Sequence, residues 1–257
     1  MPTALIVEDE PEANQLLSML VQLRGFQTDS AFSGGQALEM VDPVRHDLVF
    51  LDLMLPDISG YDICRVLKES RSTCTIPVVM VTARLAEENR RQGFFTGASD
   101  YVSKPYTPEQ IFEAMEQAND WRQEIARSSS EGQVALEARN EVANYRAICK
   151  LRTLLLERTR VSEDMARRIG QVLIDLTSRA IEWGSRKATG TVASIHYRWD
   201  QDEVEFVVAD ESGWFEAFPP RKLEGLAGLI AKGQFDKISF NEETRRLVLT
   251  SLTPSET

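Results

Sequence analysis

The chain has 257 residues, of which 42% are hydrophobic and 27% charged, and a formal net charge of −11. That length accommodates two ordinary domains, and no apolar run reaches the roughly 20 residues that span a bilayer. With three scattered cysteines and two histidines the chain offers neither a disulfide framework nor a His-rich metal site.

The opening segment MPTALIVEDE lacks a basic n-region and its apolar run stops at once in Glu8, Asp9 and Glu10. A signal peptide is therefore not expected, and a cytoplasmic location is. Ala4–Val7 reads as a short buried strand. Leu16, Leu17, Leu20, Val21 and Leu23 give a helical period that ends at Gly25. Gly34 and Gly35 precede a short helix through Ala37, Leu38 and Val41. Leu48–Leu51 is a second strand run, ending at Asp52. Ile63, Val66 and Leu67 predict a third helix, and Val78–Val81 a strand that ends at Thr82. Residues 85–95 read as helix up to Gly97. Asp100–Val102 is a short strand ending at Ser103, Lys104 and Pro105. Thr107 is a plausible N-cap with Pro108 in the first helical position, and Ile111, Phe112 and Met115 then face inward.

Short apolar strands alternating with amphipathic helices imply a parallel sheet covered on both faces. Ligands in that architecture bind at the carboxyl ends of the strands. Glu8, Asp9, Asp52, Thr82 and Lys104 all lie at such ends and converge on one site.

Residues 116–160 are rich in Glu, Arg and Ala. Ala138, Val142, Tyr145, Cys149, Arg152 and Leu156 alternate four- and three-residue steps, which fits either a dimeric coiled coil or a helix packed on its own domain. Met165, Ile169, Val172, Leu173, Leu176, Ala180 and Ile181 continue as helix to Gly184. Strands follow at 191–199 and 203–209, then Asp210-Glu211-Ser212-Gly213, a Pro219-Pro220 break, a helix near 222–232 and a strand pair near 236–240 and 246–251. That order predicts an α+β sandwich with helices on one face of a mixed sheet.

Glu8, Asp9 and Asp52 put three carboxylates into one cleft, where like charges repel unless a cation joins them. Mg²⁺, a hard ion with oxygen ligands, resolves the conflict. Lys104 can neutralise a phosphate oxygen and the Thr82 hydroxyl can donate to another, which is phosphoryl transfer by positioning and charge. The acid pair, Asp52 in LVFLDLMLPDISGYD, Thr82 in VVMVTA and Tyr101 with Lys104 in DYVSKP resemble the receiver domain of bacterial response regulators over residues 1–120. The resemblance implies a flavodoxin-like, doubly wound fold. It makes Asp52 the phosphoacceptor and Asp9, Asp52 and the Met54 carbonyl the Mg²⁺ ligands, with Glu8 acting through water. It makes Thr82 and Tyr101 a switch pair, has Lys104 contact the phosphoryl group, and expects a cis Lys104-Pro105 bond. Such a domain catalyses its own phosphorylation and dephosphorylation. His46 reads as a surface loop residue and His196 as structural.

The stretches VLIDLTSRAIEWGS, EVEFVVADESGWF and LEGLAGLIAKGQFDKISF resemble the GHKL ATPase fold of anti-sigma-factor serine kinases over residues 150–253. The resemblance would place a degenerate nucleotide site at Asp175, Arg179, Asp210 and Gly213. Asp175 takes the place of the family's basic Glu. Arg179 takes that of its metal-binding Asn, and a guanidinium has no lone pair to offer Mg²⁺. Trp214 crowds the loop, and Gly225, Gly228 and Gly233 match the phosphate segment only loosely. ATP binding is not expected. No histidine lies between residues 110 and 183, so no phosphoacceptor helix of a histidine kinase is present there.

The expected organisation is a receiver domain over 1–120, a helical linker and candidate coiled coil over 121–160, and a degenerate GHKL-like α+β domain over 161–257. The expected function is a response regulator phosphorylated on Asp52 by a cognate histidine kinase or phosphotransfer protein, switching a C-terminal protein-interaction domain. The alternative is a phosphorylation-regulated, ATP-binding serine kinase. An output protein partner is expected, and no membrane; a homodimer goes with the coiled-coil alternative for 138–156. Residues 1–120 hold nine Lys/Arg and nineteen Asp/Glu, and residues 121–257 twenty and twenty-one. Neither half has the positive excess that a phosphate backbone rewards, so no DNA is expected.

Overall fold

The structure, a computed structural model, describes residues 1–42, 45–83, 96–187, 190–200, 203–213, 215, 235–241 and 243–252. It divides into two compact units, Met1–Arg127 and Ser128–Thr257.

The first unit is built on β1 (Thr3–Val7), β2 (Gln27–Ala31), β3 (Leu48–Asp52), β4 (Val78–Thr82) and β5 (Asp100–Ser103). All pair in parallel, in the order β2-β1-β3-β4-β5. Every residue of β1, β3 and β4 is buried, as continuous apolar runs require when helices cover both faces. The helices are α1 (Pro11–Gln22), α2 (Gly34–Met40), α3 (Gly60–Glu69) and α4 (Pro108–Arg127). Leu17, Leu20 and Val21 of α1 and Ile111, Ala114, Met115 and Ala118 of α4 close over Ile6, Phe50, Val79 and Val81. The Thr107 cap forms as expected: Gln110 N–H donates to Thr107 Oγ1 at 3.4 Å, and Thr107 N–H donates back to Gln110 Oε1 at 2.9 Å. The Lys104-Pro105 bond is cis.

Two features depart from expectation here. β2 was not foreseen, because Gln27-Thr28-Asp29-Ser30 has no apolar alternation; as an edge strand pairing with β1 it needs none. His46 is no surface residue but buried. Its Nδ1 accepts from Asp42 N–H at 3.1 Å, which leaves Nε2–H to donate to Asp29 at 3.0 Å.

The second unit holds β6 (Glu131–Glu137), α5 (Glu141–Arg158), α6 (Glu163–Lys187), β7 (Thr191–Trp199), β8 (Glu203–Asp210), β9 (Lys237–Asn241) and β10 (Arg246–Leu252). Its sheet runs β6-β7-β8-β10-β9 with every pair antiparallel, not mixed. The reason is β6, which lies where a helical linker was expected. Two helices rather than one connect β6 to β7, so the chain re-enters the sheet reversed. Asn144 binds α5 to the end of β6: Glu137 N–H donates to its Oδ1 at 2.9 Å and its Nδ2 donates to Glu137 O at 2.7 Å. Tyr145, Cys149, Arg152 and Leu156 of the expected seam are buried inside this unit. Arg152 lies along Gly170 of α6, where an added Cβ would stand 3.2 Å from Arg152 Cδ. The helix packs on its own domain, the second of the two alternatives read from the heptad.

The predicted helices at 85–95 and 222–232, the Pro219-Pro220 break, Trp214, Gly225, Gly228 and Gly233 lie outside the described residues. Among the described residues no helix is long and apolar enough to cross a membrane.

Phe206 lies on the inner face of β8, fully buried and facing Tyr197 and Leu249. Phe206→Ala is expected to cost the second unit about 3–5 kcal/mol. Tryptophan fluorescence during urea unfolding reads this unit, since three of the four tryptophans lie beyond Ser128.

Candidate functional site

The strand order reverses between β1 and β3, so the crevice at their carboxyl ends is the topological switch point. Glu8 and Asp9 follow β1, and Asp52 ends β3. Their carboxylate oxygens lie within 4.8 Å of one another. Glu8 and Asp52 are 3% and 6% exposed, while Asp9 faces solvent.

Backbone anchors hold the acids in place. Glu8 N–H donates to Ala31 O at 3.0 Å. Asn14, buried on α1, donates from Nδ2 to Ile6 O and Glu8 O at 3.3 and 3.4 Å, and its Oδ1 accepts from Ser30 Oγ at 2.6 Å. Asp52 Oδ1 accepts from Met54 N–H at 2.9 Å.

Lys104 supplies the counter-charge. Its Nζ donates to Glu8 Oε2 and to Asp52 Oδ2, each at 2.5 Å. Burial holds Glu8 above the ordinary glutamate range, and the charge of Asp52 adds to this against the bond from Lys104. Burial works against the Lys104 ammonium, but its bonds to Asp52 and Glu8 outweigh that and its pKa is raised. Lys104 N–H also donates to Thr82 O at 2.8 Å, tying the end of β5 to that of β4. Thr82 is fully buried, and Tyr101 is buried on β5 opposite Met80. The structure thus brings Glu8, Asp9, Asp52 and Lys104 together, with Thr82 and Tyr101 on the two adjoining strands and Met54 two residues past the end of β3.

Sequence reading missed Asn14 and Tyr106. A buried Asn among helical apolar residues carries no motif. Tyr106 is half-buried in the field of Lys104, Glu8 and Asp52, and burial raises its hydroxyl pKa; its place directly after Lys104-Pro105 was the available signal. The oxygen-only donor set fits a hard divalent cation such as Mg²⁺.

In the second unit, Asp175 and Arg179 occupy successive turns of α6, and Asp210 ends β8. Asp175 accepts from Gln171 Nε2 at 3.0 Å, and Arg179 is exposed. The Asp210 carboxylate folds onto its own turn: Oδ1 accepts from Ser212 N–H at 2.9 Å and Gly213 N–H at 2.8 Å, and Oδ2 from Phe215 N–H at 2.9 Å. Gly213 makes the turn possible at φ 82°.

Residues 4–116 match the family model for the response regulator receiver domain. The chain is 38% identical over 113 residues to the DNA-binding dual master transcriptional regulator RpaA of Synechocystis, covering 43% of this chain and 46% of that protein. It is 41% identical over 107 residues to the DNA-binding response regulator MtrA of Mycolicibacterium smegmatis, covering 42% and 46%. A receiver domain protein of Clostridium thermocellum is similar in structure, with a TM-score of 0.45 and 25% identity over 48% of this chain and 98% of that one. The N-terminal unit is a response regulator receiver domain, and receiver domains bind Mg²⁺ at such an acidic pocket. The matches span just under half of the curated relatives' own length.

These relatives overturn the expectation that DNA plays no part, since both are named as DNA-binding. Net charge summed over half a chain is blind to local clusters, so it does not exclude a nucleic-acid contact.

A raised Glu8 pKa means that the folded state holds its proton more tightly than the unfolded state. That contribution to stability is full below the unfolded value and is lost as pH rises through the folded one. In chelator, urea midpoints of the wild type are expected to fall relative to those of Glu8→Gln as pH rises above 4.5. Parallel pH curves for the two proteins would refute the burial effect.

Proposed function

We propose that this chain is a response regulator in which Asp52 accepts a phosphoryl group from a histidine of a kinase or phosphotransfer protein. The switched element is the second unit's contact with an output partner. The observation that carries the reading is the Lys104 ammonium, held 2.5 Å from the Asp52 carboxylate at the end of β3. An Asp52 oxygen bonds to phosphorus as the donor's P–N bond breaks, and the histidine nitrogen leaves with the electron pair. Lys104 then turns from Asp52 towards the transferred group and offsets its added charge. The Thr82 hydroxyl donates to another of its oxygens, and Tyr101 follows Thr82 in remodelling the β4–β5 face. Asp9, Asp52 and the Met54 carbonyl would hold Mg²⁺, with Glu8 acting through water. When bound, the ion neutralises charge on the phosphoryl oxygens.

For the second unit we favour a GHKL-like domain that works without nucleotide. Its element order supports the kinship. Arg179 at the metal-binding position and the Asp210 carboxylate turned onto its own loop support the loss of ATP. A second reading, action at DNA, draws on the names of the curated relatives and on the arginines of the α5–α6 turn. A gel shift of phosphorylated protein that weakens steeply with salt would favour it.

With acetyl phosphate as donor, wild-type protein is expected to gain one phosphoryl group by intact mass and Asp52→Asn none. Labelling of Asp52→Asn would refute the assignment. Calorimetric titration of ATP into the full chain in saturating Mg²⁺ is expected to give no binding heat. Micromolar binding would put the serine-kinase reading first.

A further inference from the structure

Asp57 lies outside the acid cleft, on the loop that leads from Asp52 to α3. Its two carboxylate oxygens accept separately from successive backbone N–H groups at the start of α2: Oδ1 from Gly34 and Oδ2 from Gly35, each at 2.8 Å. Both residues are glycines, and at Gly34 the packing leaves no choice. A Cβ there would stand 2.8 Å from Ile63 Cδ1 and 2.9 Å from Ile58 Cβ. The start of α2 is therefore pressed against the loop and α3 together.

The other end of the loop is fixed as tightly. Gly60 N–H donates to Leu53 O at 3.2 Å, and a Cβ on Gly60 would stand 2.3 Å from the Asp52 carbonyl oxygen. Between these two anchors runs the segment that carries Met54, whose N–H holds Asp52 Oδ1. Gly60 sets the near end by close packing. Asp57 sets the far end by charge-assisted bonds, which are stronger than neutral ones. The bonds from Gly35 and Gly34 also keep its carboxyl below the usual carboxylate range, so they favour the ionised form.

We propose that Asp57 is a positioning residue for phosphoryl transfer. Its carboxylate anchors the β3–α3 loop to the start of α2 and so holds the Met54 carbonyl and the Asp52 carboxylate in the geometry that takes Mg²⁺. This rests on the reading of Asp52 as phosphoacceptor. An amide at position 57 keeps one acceptor oxygen and loses the other, so Asp57→Asn retains half of the clamp, whereas Asp57→Ala retains none.

The test is Mg²⁺ binding to the unphosphorylated full chain, titrated by calorimetry, together with the initial rate of its phosphorylation by acetyl phosphate over the same Mg²⁺ series. Asp57→Ala is expected to raise the Mg²⁺ concentration for half-maximal rate by about ten-fold, the usual scale for loss of a group that orients a metal ligand. Asp57→Asn should fall between it and the wild type. A purely structural clamp would lower the melting temperature and leave half-saturation unmoved, and that result overturns the proposal. Asp57→Asn keeps the test open if Asp57→Ala does not fold: half-saturation at the wild-type value in that variant overturns the proposal equally. Asp52→Asn separates the two layers. If it is blank while the Asp57 variants match wild type, the positioning role alone fails; if it still takes up label, the parent reading fails and this one with it.

Discussion

The first unit depends on keeping three carboxylates in one small cleft. Glu8 and Asp52 are buried, where ionised groups are costly without a partner. Lys104 is the partner, and it reaches them from β5, two strands away from β3 in the sheet. That reach needs the end of β4 to be narrow and fixed in height, and Thr82 meets both conditions: it is small, and its carbonyl accepts the Lys104 N–H. The parallel order brings the acids to one crevice, and the ammonium makes their company tolerable. The ammonium lies between two of the acids and bonds to both, so the positive charge stands at the centre of the cluster.

Precision of this kind is not made by the cleft residues alone. Each acid-bearing loop is tied to a neighbouring element by an unobtrusive side chain. Asn14 on α1 holds the carbonyls of Ile6 and Glu8, and Ser30 of β2 in turn donates to Asn14. The edge strand β2, polar and half-exposed, thereby supports the first acid pair, and its Asp29 receives the buried His46. On the other side Asp57 ties the loop after Asp52 to α2. Polar residues of the supporting elements therefore matter as much as the apolar strands in setting the geometry.

What could be read in advance follows from this division. Strand runs such as Leu48–Asp52 and the polar residues at their ends were legible, because burial on both faces leaves an apolar signature and the chemistry sits where it stops. Thr107 and Pro108 marked the start of α4 because capping is local. β2 was illegible, since an edge strand is made by its neighbour and not by its own pattern. Asn14 and His46 were illegible for a related reason: a polar residue in the core is recognised only with its partner, and Asp29 and Ser30 lie sixteen or seventeen residues away from them. β6 was read as helix because Glu and Ala dominate its surroundings, while its pairing with β7 spans a helical hairpin that no local window sees. Tertiary pairing overrode propensity there.

The second unit handles its acid at a strand end in the opposite way. Asp52 faces an ammonium and two further carboxylates, and it has charge to offer. Asp210 also ends a strand, but its Oδ1 accepts from two backbone N–H groups of its own turn and its Oδ2 from a third. A carboxylate has about four lone-pair sites, so most of the capacity of Asp210 is used in shaping the loop. The donors are part-buried backbone N–H groups of Ser212, Gly213 and Phe215, so the carboxylate serves as the template on which the turn folds. An acid that builds a loop and an acid that faces a cleft look alike as letters in a sequence. What separates them is where the hydrogen bonds go: those of Asp210 shape its own turn, while Asp52 shares the Lys104 ammonium with Glu8.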